Sequence, residues 1–269
     1  MNDPLLITDG NDLELQQASR SARESFRYFW RELSWERRRI IPGLEMAMIK
    51  LPFTDGPRTD GNPDYEFMWV DDVTFDGDTL GGTLLNTPCW VESVSEGNLV
   101  SAPFSQLSDW ILVADARAYG AFTVNLLRSR MKPSERKEHD DNWGLDFGDP
   151  ADIRLEINHE PKPGRLGNLF GARNRPVMTS GTFHDHPMCL NMVPKIEEQL
   201  RNEPDLATSA DDDGWTFLHH DALAGNLAMV RLMLAYGADS TARTSKGYTA
   251  ADLARKIGWP EVAAAIDGN

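Results

Sequence analysis

Gly214, Thr216 and Gly225 recur as Gly247, Thr249 and Gly258, each after 33 residues. A chain that repeats its turn and helix-stop residues at one fixed interval is built from copies of a small unit. Each copy is too small to bury its own apolar face, so the copies must stack. The residues in between suit a turn followed by two short helices. Asp213-Gly214 makes a tight turn because glycine accepts positive φ, and Thr216 is placed to cap the helix that follows. Phe217–Ala224 predicts that helix, with Ala222 and Ala224 small enough for close approach of a neighbour, and Gly225 stops it. Leu227–Ala235 predicts a second helix from its apolar spacing, with an exit through Gly237-Ala238-Asp239.

This order of turn, Thr-x-Leu-His, helix, glycine, helix and Gly-Ala-Asp resembles the ankyrin repeat, with Phe217 standing where that pattern has proline. The next copy keeps Gly247, Tyr248, Thr249 and Gly258 and ends at residues 260–266 as a shortened C-terminal cap. Upstream, residues 193–200 with 202–205 read as an atypical first repeat, Pro194 fitting a first helical turn. Residues 192–266 therefore hold about two and a half units, where about three are usually needed for a continuous core. One end of the stack is then expected to lean on the preceding domain. Residues 183–192 would act as the hinge, with Pro187-Met188 and Leu190 wedged between the N-terminal domain and the first repeat helix, because Ile196, Leu200, Leu218 and Leu223 otherwise lack cover.

The N-terminal half follows other periods. Residues 12–33 predict an amphipathic helix from Leu15, Ala18, Ala22, Phe26, Phe29 and Leu33. Two-residue alternation predicts strands at 44–51 and 65–70, separated by a turn-rich loop at Asp55-Gly56-Pro57 and Asp60-Gly61-Asn62-Pro63. Further strands are expected at 71–75, 79–85, 98–102 and 105–113, and 121–128 reads as a short strand passing into a helix. The fold class is α+β: an N-terminal bent antiparallel sheet with flanking helices, followed by an all-α ankyrin-repeat solenoid. Glu66 to Val70, the Gly-x-Leu-x-Asn-x-Pro run at 82–88, Gly97, Ser108-Asp109-Trp110 and Gly120-Ala121-Phe122-Thr123 resemble the bacterial domain of unknown function 2314 over residues 18–131. That family has no established activity, so the resemblance implies a fold and a bacterial origin and brings no catalytic residues. Residues 12–131 form this domain. Residues 132–180, with a charged run at 132–141 and turn formers at 161–168, read as a solvated linker, and 181–269 form the repeat domain.

The chain has 42 acidic against 27 basic residues, a formal charge of −15, which repels phosphate backbones and anionic lipid. Nucleic acid and membrane are therefore excluded as partners. The first 20 residues have neither a basic flank nor an apolar run of secretory length, so a cytoplasmic location is expected. Cys89 and Cys189 outline neither a disulfide framework nor a zinc motif.

Gly-x-Ser-x-Gly, Gly-x-x-x-x-Gly-Lys and His-Glu-x-x-His are all missing from the sequence. His184-Asp185-His186 with Cys189, and His219-His220, have no standard metal spacing, and turn or cap roles account for them better. No cofactor, metal or catalytic residue is assigned. The expected function is non-catalytic protein binding, concretely a bacterial immunity protein that neutralises a basic toxin or effector. Asp211, Asp212, Trp215, Arg243, Lys246 and Tyr248 at the turn tips are expected to contact the protein partner. The oligomeric state stays open. The alternative is a hydrolase-type enzyme using Glu66, Asp71, Asp72 and Asp109 beside Trp69, Trp90 and Trp110.

Overall fold

A computed structural model describes residues 12–157 and 183–268, and the chain forms two compact units that part between Glu156 and Ile157. In the first unit, α1 (Leu13–Glu36) starts where the Asp12 carboxylate accepts the backbone N–H groups of Glu14 and Leu15 at 3.0 and 3.3 Å. Six strands follow: β1 (Met46–Phe53), β2 (Glu66–Phe75), β3 (Thr79–Leu84), β4 (Leu99–Pro103), β5 (Asp109–Ala114) and β6 (Arg117–Gly120). They form one antiparallel sheet in the order β4-β3-β2-β1-β5-β6.

Register sorts the strand residues onto two faces. Ile49 lies opposite Val70 and Trp110, and this face packs on α1, where Phe29 meets the Trp110 ring at 5.8 Å. The Trp110 indole N–H donates to the Ala22 carbonyl at 3.0 Å. Phe26 packs with Phe75 and Phe104 at the same layer. On the other face Met48, Trp69, Ile111 and Val113 form a core with Val124 of α2 (Phe122–Arg130) and Phe147.

Several elements differ from the sequence reading, each for a local reason. The strands expected at 65–70 and 71–75 are one strand, β2, with a bulge between Asp71 and Thr74 and Asp72 at φ +48°. The two expected strands are thus joined through a kink within the ladder. Residues 121–128 contain no strand and are helical from Phe122, while the strand before them is β6. Asp115 and Ala116, at φ +51° and +57°, form the two-residue turn into β6. Such turns favour Asn-Gly or Asp-Gly, so Asp-Ala gave little signal. The strand expected at 105–113 begins only at Asp109, after a 3-10 turn at Phe104–Gln106.

The charged run read as linker is α3 (Pro133–Trp143), with proline in its first turn. Asp140 on this helix accepts both Nε and Nη2 of the buried Arg128, at 2.7 and 2.6 Å. Trp143 and Phe147 close onto the sheet core, which gives this polar helix an apolar edge. The turn-forming stretch at 161–168 lies outside the described residues.

The second unit is helical: α4 (Pro187–Asn202), α5 (Phe217–Ala224), α6 (Leu227–Ala235), α7 (Ala250–Ile257) and α8 (Pro260–Asp267). α5 and α7 begin 33 residues apart, as do α6 and α8, so the sequence period is a period of structure. The turn bonds recur too. Asp211 N–H to the Trp215 carbonyl, 2.9 Å, returns as Thr244 N–H to Tyr248, 3.0 Å. Gly225 ends α5 at φ +74°, and a Cβ there would come within 2.3 Å of the Trp259 ring. Leu200, Leu218 and Leu223 are buried here, while Ile196 is half-buried.

α4 corrects the first-repeat reading. It is one continuous helix from Pro187, which occupies the first turn, and Pro194 sits inside it, removing the N–H that would bond the Leu190 carbonyl. On α4 Leu190 is 54% exposed, and its neighbour Cys189 is the buried residue.

Candidate functional site

The turns before α5 and α7 are organised by their own side chains. The Asp211 carboxylate accepts the N–H groups of Asp213 and Trp215 at 3.0 and 2.8 Å, while Arg243 donates to the Gly247 carbonyl at 2.6 Å. Ser245 N–H donates to the Asp213 carbonyl at 2.7 Å, so consecutive tips abut. Asp211, Asp212, Arg243 and Lys246 are exposed, and Trp215 and Tyr248 are half-buried. Trp215 stacks on His220, with ring centroids 4.9 Å apart. The structure thus brings the two groups of tip residues onto adjoining turns.

His219 braces those turns from inside. Its Nδ1 accepts the Thr216 backbone N–H at 3.1 Å, which leaves Nε2 to donate to the Ala242 carbonyl at 3.1 Å, one turn on. Burial lowers the His219 pKa, keeping the imidazole in the neutral form that this double role requires.

The histidine cluster ahead of the repeats is spent on caps. His186 Nδ1 accepts the Met188 N–H at the start of α4, and both Asp185 oxygens accept the Ala228 N–H at the start of α6. Burial, then the Asp185 charge, pushes the Cys189 thiol up to about 12. Among the described residues no group of three or more His, Cys, Asp and Glu is arranged to hold a metal ion.

The carboxylates of the N-terminal unit divide into two sets. Glu66 is 1% exposed and accepts the N–H groups of Cys89, Trp90 and Val91, at 2.8 to 3.3 Å. Asp109 is fully buried. Its carboxylate accepts the N–H groups of Phe122 and Thr123 and the Thr123 hydroxyl at 2.9, 2.8 and 2.6 Å, thereby capping α2. Burial pushes its pKa up, against these donors and the Lys50 charge. Both acids are structural, and Trp110 is wholly inside the core, so four acids around three tryptophans do not form one site.

Asp71 and Asp72 do face a concavity with Trp69. This cleft, about 570 Å³, lies among the C-terminal end of α1, the start of β1, the bulge of β2, Asn86 and Trp143. Its walls include Leu33, Met46, Met48 and Val73, and its charged lining is Glu36, Glu45, Asp71 and Asp72 against Arg37. Burial, then the Asp72 charge, raises the Asp71 pKa. The sequence reading grouped Trp69 with both acids but missed the rest of the lining, which comes from segments far apart in the chain.

Comparison with known proteins bears on both units. Residues 12–147 match the family model described as "Uncharacterized protein conserved in bacteria (DUF2314)". The chain belongs to the DUF2314 family. The family match runs through α3 to Phe147, beyond the stretch whose motifs carried the resemblance, in keeping with the part those residues take in the core. A putative ankyrin repeat protein of Neisseria meningitidis serogroup B is 43% identical over 253 residues, 94% of this chain and 92% of the relative. The rat ankyrin repeat and SAM domain-containing protein 6 is 27% identical over 49% of this chain and 14% of its own. The uncharacterized protein YegJ of Escherichia coli is 30% identical over 29% of this chain and 48% of its own.

The residues that carried the DUF2314 resemblance now have physical roles. Glu66 ties the 89–91 loop to β2, Asn86 Oδ1 accepts the Trp69 N–H at 2.6 Å, and Asp109 caps α2. They build the scaffold. Among the described residues no helix is long and apolar enough to cross a membrane.

Proposed function

We propose that this chain is a non-catalytic protein-binding protein whose C-terminal unit is an ankyrin solenoid that meets its partner with the turn tips. The recurrence of the Asp211–Trp215 turn at Thr244–Tyr248, tip against tip, supports this most directly. The near full-length similarity to a putative ankyrin repeat protein supports it as well. Asp211, Asp212, Trp215, Arg243, Lys246 and Tyr248 are the proposed contacts, with Trp215 and Tyr248 as anchors, since half-buried aromatics lose little freedom on binding.

The formal charge of −15 favours a basic partner, because charge complementarity speeds and selects encounter. A cytoplasmic immunity protein that neutralises a basic toxin or effector is the concrete form of this reading. We place the boundary of the N-terminal domain near residue 157 and assign the repeats to 181–269.

Affinity capture with the intact protein from native lysate, at low and at high salt, tests the reading. A basic protein should be retained at low salt and weakened by high salt. No retained partner, or an acidic one, contradicts it.

A further inference from the structure

We infer that the cleft beside Trp69 takes a lysine or arginine side chain presented on a peptide segment of a protein partner. This rests on the protein-binding reading and adds a second, chemically defined contact in the other unit. A volume of about 570 Å³ falls within the range of ligand pockets, about 300–1,000 Å³. Met46, Met48 and Trp143 offer apolar walls to the methylene stem of a long basic side chain.

The charged lining selects the head group. Glu36 is engaged by Arg39 at 3.2 Å and by the Gly43 N–H, and Glu45 accepts the Ala116 N–H. Arg37 donates to the Val73 carbonyl. The Arg37 charge faces Asp72 and Arg39 pairs with Glu36, so Asp71 and Glu45 remain without a cation of the lining to match them, and this excess of negative charge suits a cation.

Two buried groups on the same face of β2 sharpen the choice. Trp69 is 4% exposed and its Nε1–H has no hydrogen-bond partner among the described residues, and the same holds for the buried Oδ1 of Asp71. Native structures seldom leave such groups unmatched, and a ligand atom of the complementary kind satisfies each. An ammonium or guanidinium donates to Asp71, and a backbone carbonyl accepts from Trp69. A peptide supplies both, whereas a free polyamine supplies donors alone. Lys50 already covers the Trp69 ring at 4.7 Å, which places the incoming cation at the carboxylate and away from the ring face. Ile40 and Ile41, 99% and 81% exposed, stand on the loop between α1 and β1, whose ends line the cleft, as an apolar ledge for flanking residues.

The test uses the intact protein and blocked tripeptides Leu-Lys-Leu and Leu-Arg-Leu, their norleucine-centred isostere, and spermidine. Binding is read from the indole N–H resonance of Trp69, assigned by its loss in Trp69→Phe, and from calorimetry. The lysine and arginine peptides should shift that resonance saturably, with the isostere and spermidine about tenfold or more weaker. Asp71→Asn should weaken the lysine peptide about tenfold or more while the melting temperature is unchanged or higher. Equal binding of the isostere or of spermidine, or unaltered affinity in Asp71→Asn, overturns the proposal. These probes do not involve the turn tips, so failure here leaves the repeat interface standing, and loss of partner binding in tip variants leaves the peptide result intact.

Discussion

Asp109 caps a helix it does not belong to: the residue before α2, Ala121, lies in the left-handed region with no capping side chain, and the β5 carboxylate takes the Phe122 and Thr123 N–H groups instead. An asparagine there turns an NH₂ against those donors. Asp109→Asn should therefore cost about 1–3 kcal/mol, read as a lower urea midpoint, and an unchanged midpoint would remove Asp109 from this role. His219 sets a pH dependence. Burial lowers its pKa, while its bond to Ala242, a backbone bond involving Tyr248 and the Asp211 charge oppose that. The fold holds the neutral ring, so its contribution is fully present above the unfolded value of about 6.5 and is lost as pH falls below that toward the folded value. Melting temperature should fall between pH 7 and pH 5.5, and the fall should be shallower in His219→Gln. An equal slope in both proteins would assign the effect to other groups.

Elements with a strong period were legible from the chain, and those defined by contact were not. The 33-residue recurrence placed α5 to α8, because repeated turn and stop residues fix helix ends without reference to the rest of the fold. The apolar stripe placed α1 within a few residues. β6 was missed because its Asp115-Ala116 turn has no glycine, and α3 was read as linker because its charge hides the single edge formed by Trp143. The tip residues could be named from the repeat, whereas the cleft could not, since its lining joins the end of α1, β1, the β2 bulge and the end of α3. Glycine at 225 shows what the repeat demands of an element's end. A methyl group there meets positive φ and the Trp259 ring at 2.3 Å together. Gly225→Ala should destabilise the protein by about 1–3 kcal/mol from overpacking alone. Chemical denaturation checks this, and a neutral substitution would mean that the helix end relaxes freely.

On the scale of the whole molecule, two units carry different kinds of surface. The DUF2314 unit uses its family motifs to hold a sheet and its helices together, and keeps a cleft lined by four acids and one arginine. The repeat unit places aromatic, basic and acidic side chains on adjoining turns braced by His219. The basic partner proposed above would complement the net acidity of the chain. Trp215 and Tyr248 carry the central claim, and the stack of Trp215 on His220 sets what its removal does to the fold, about 0.5–1.5 kcal/mol for an aromatic pair. The decisive measurement is the affinity of the captured partner for the Trp215→Ala, Tyr248→Ala double variant, with its melting curve recorded alongside. We expect binding about tenfold or more weaker, by calorimetry at fixed salt, with melting lowered by only a few degrees. Wild-type affinity in a folded double variant would show that the partner does not meet these turns.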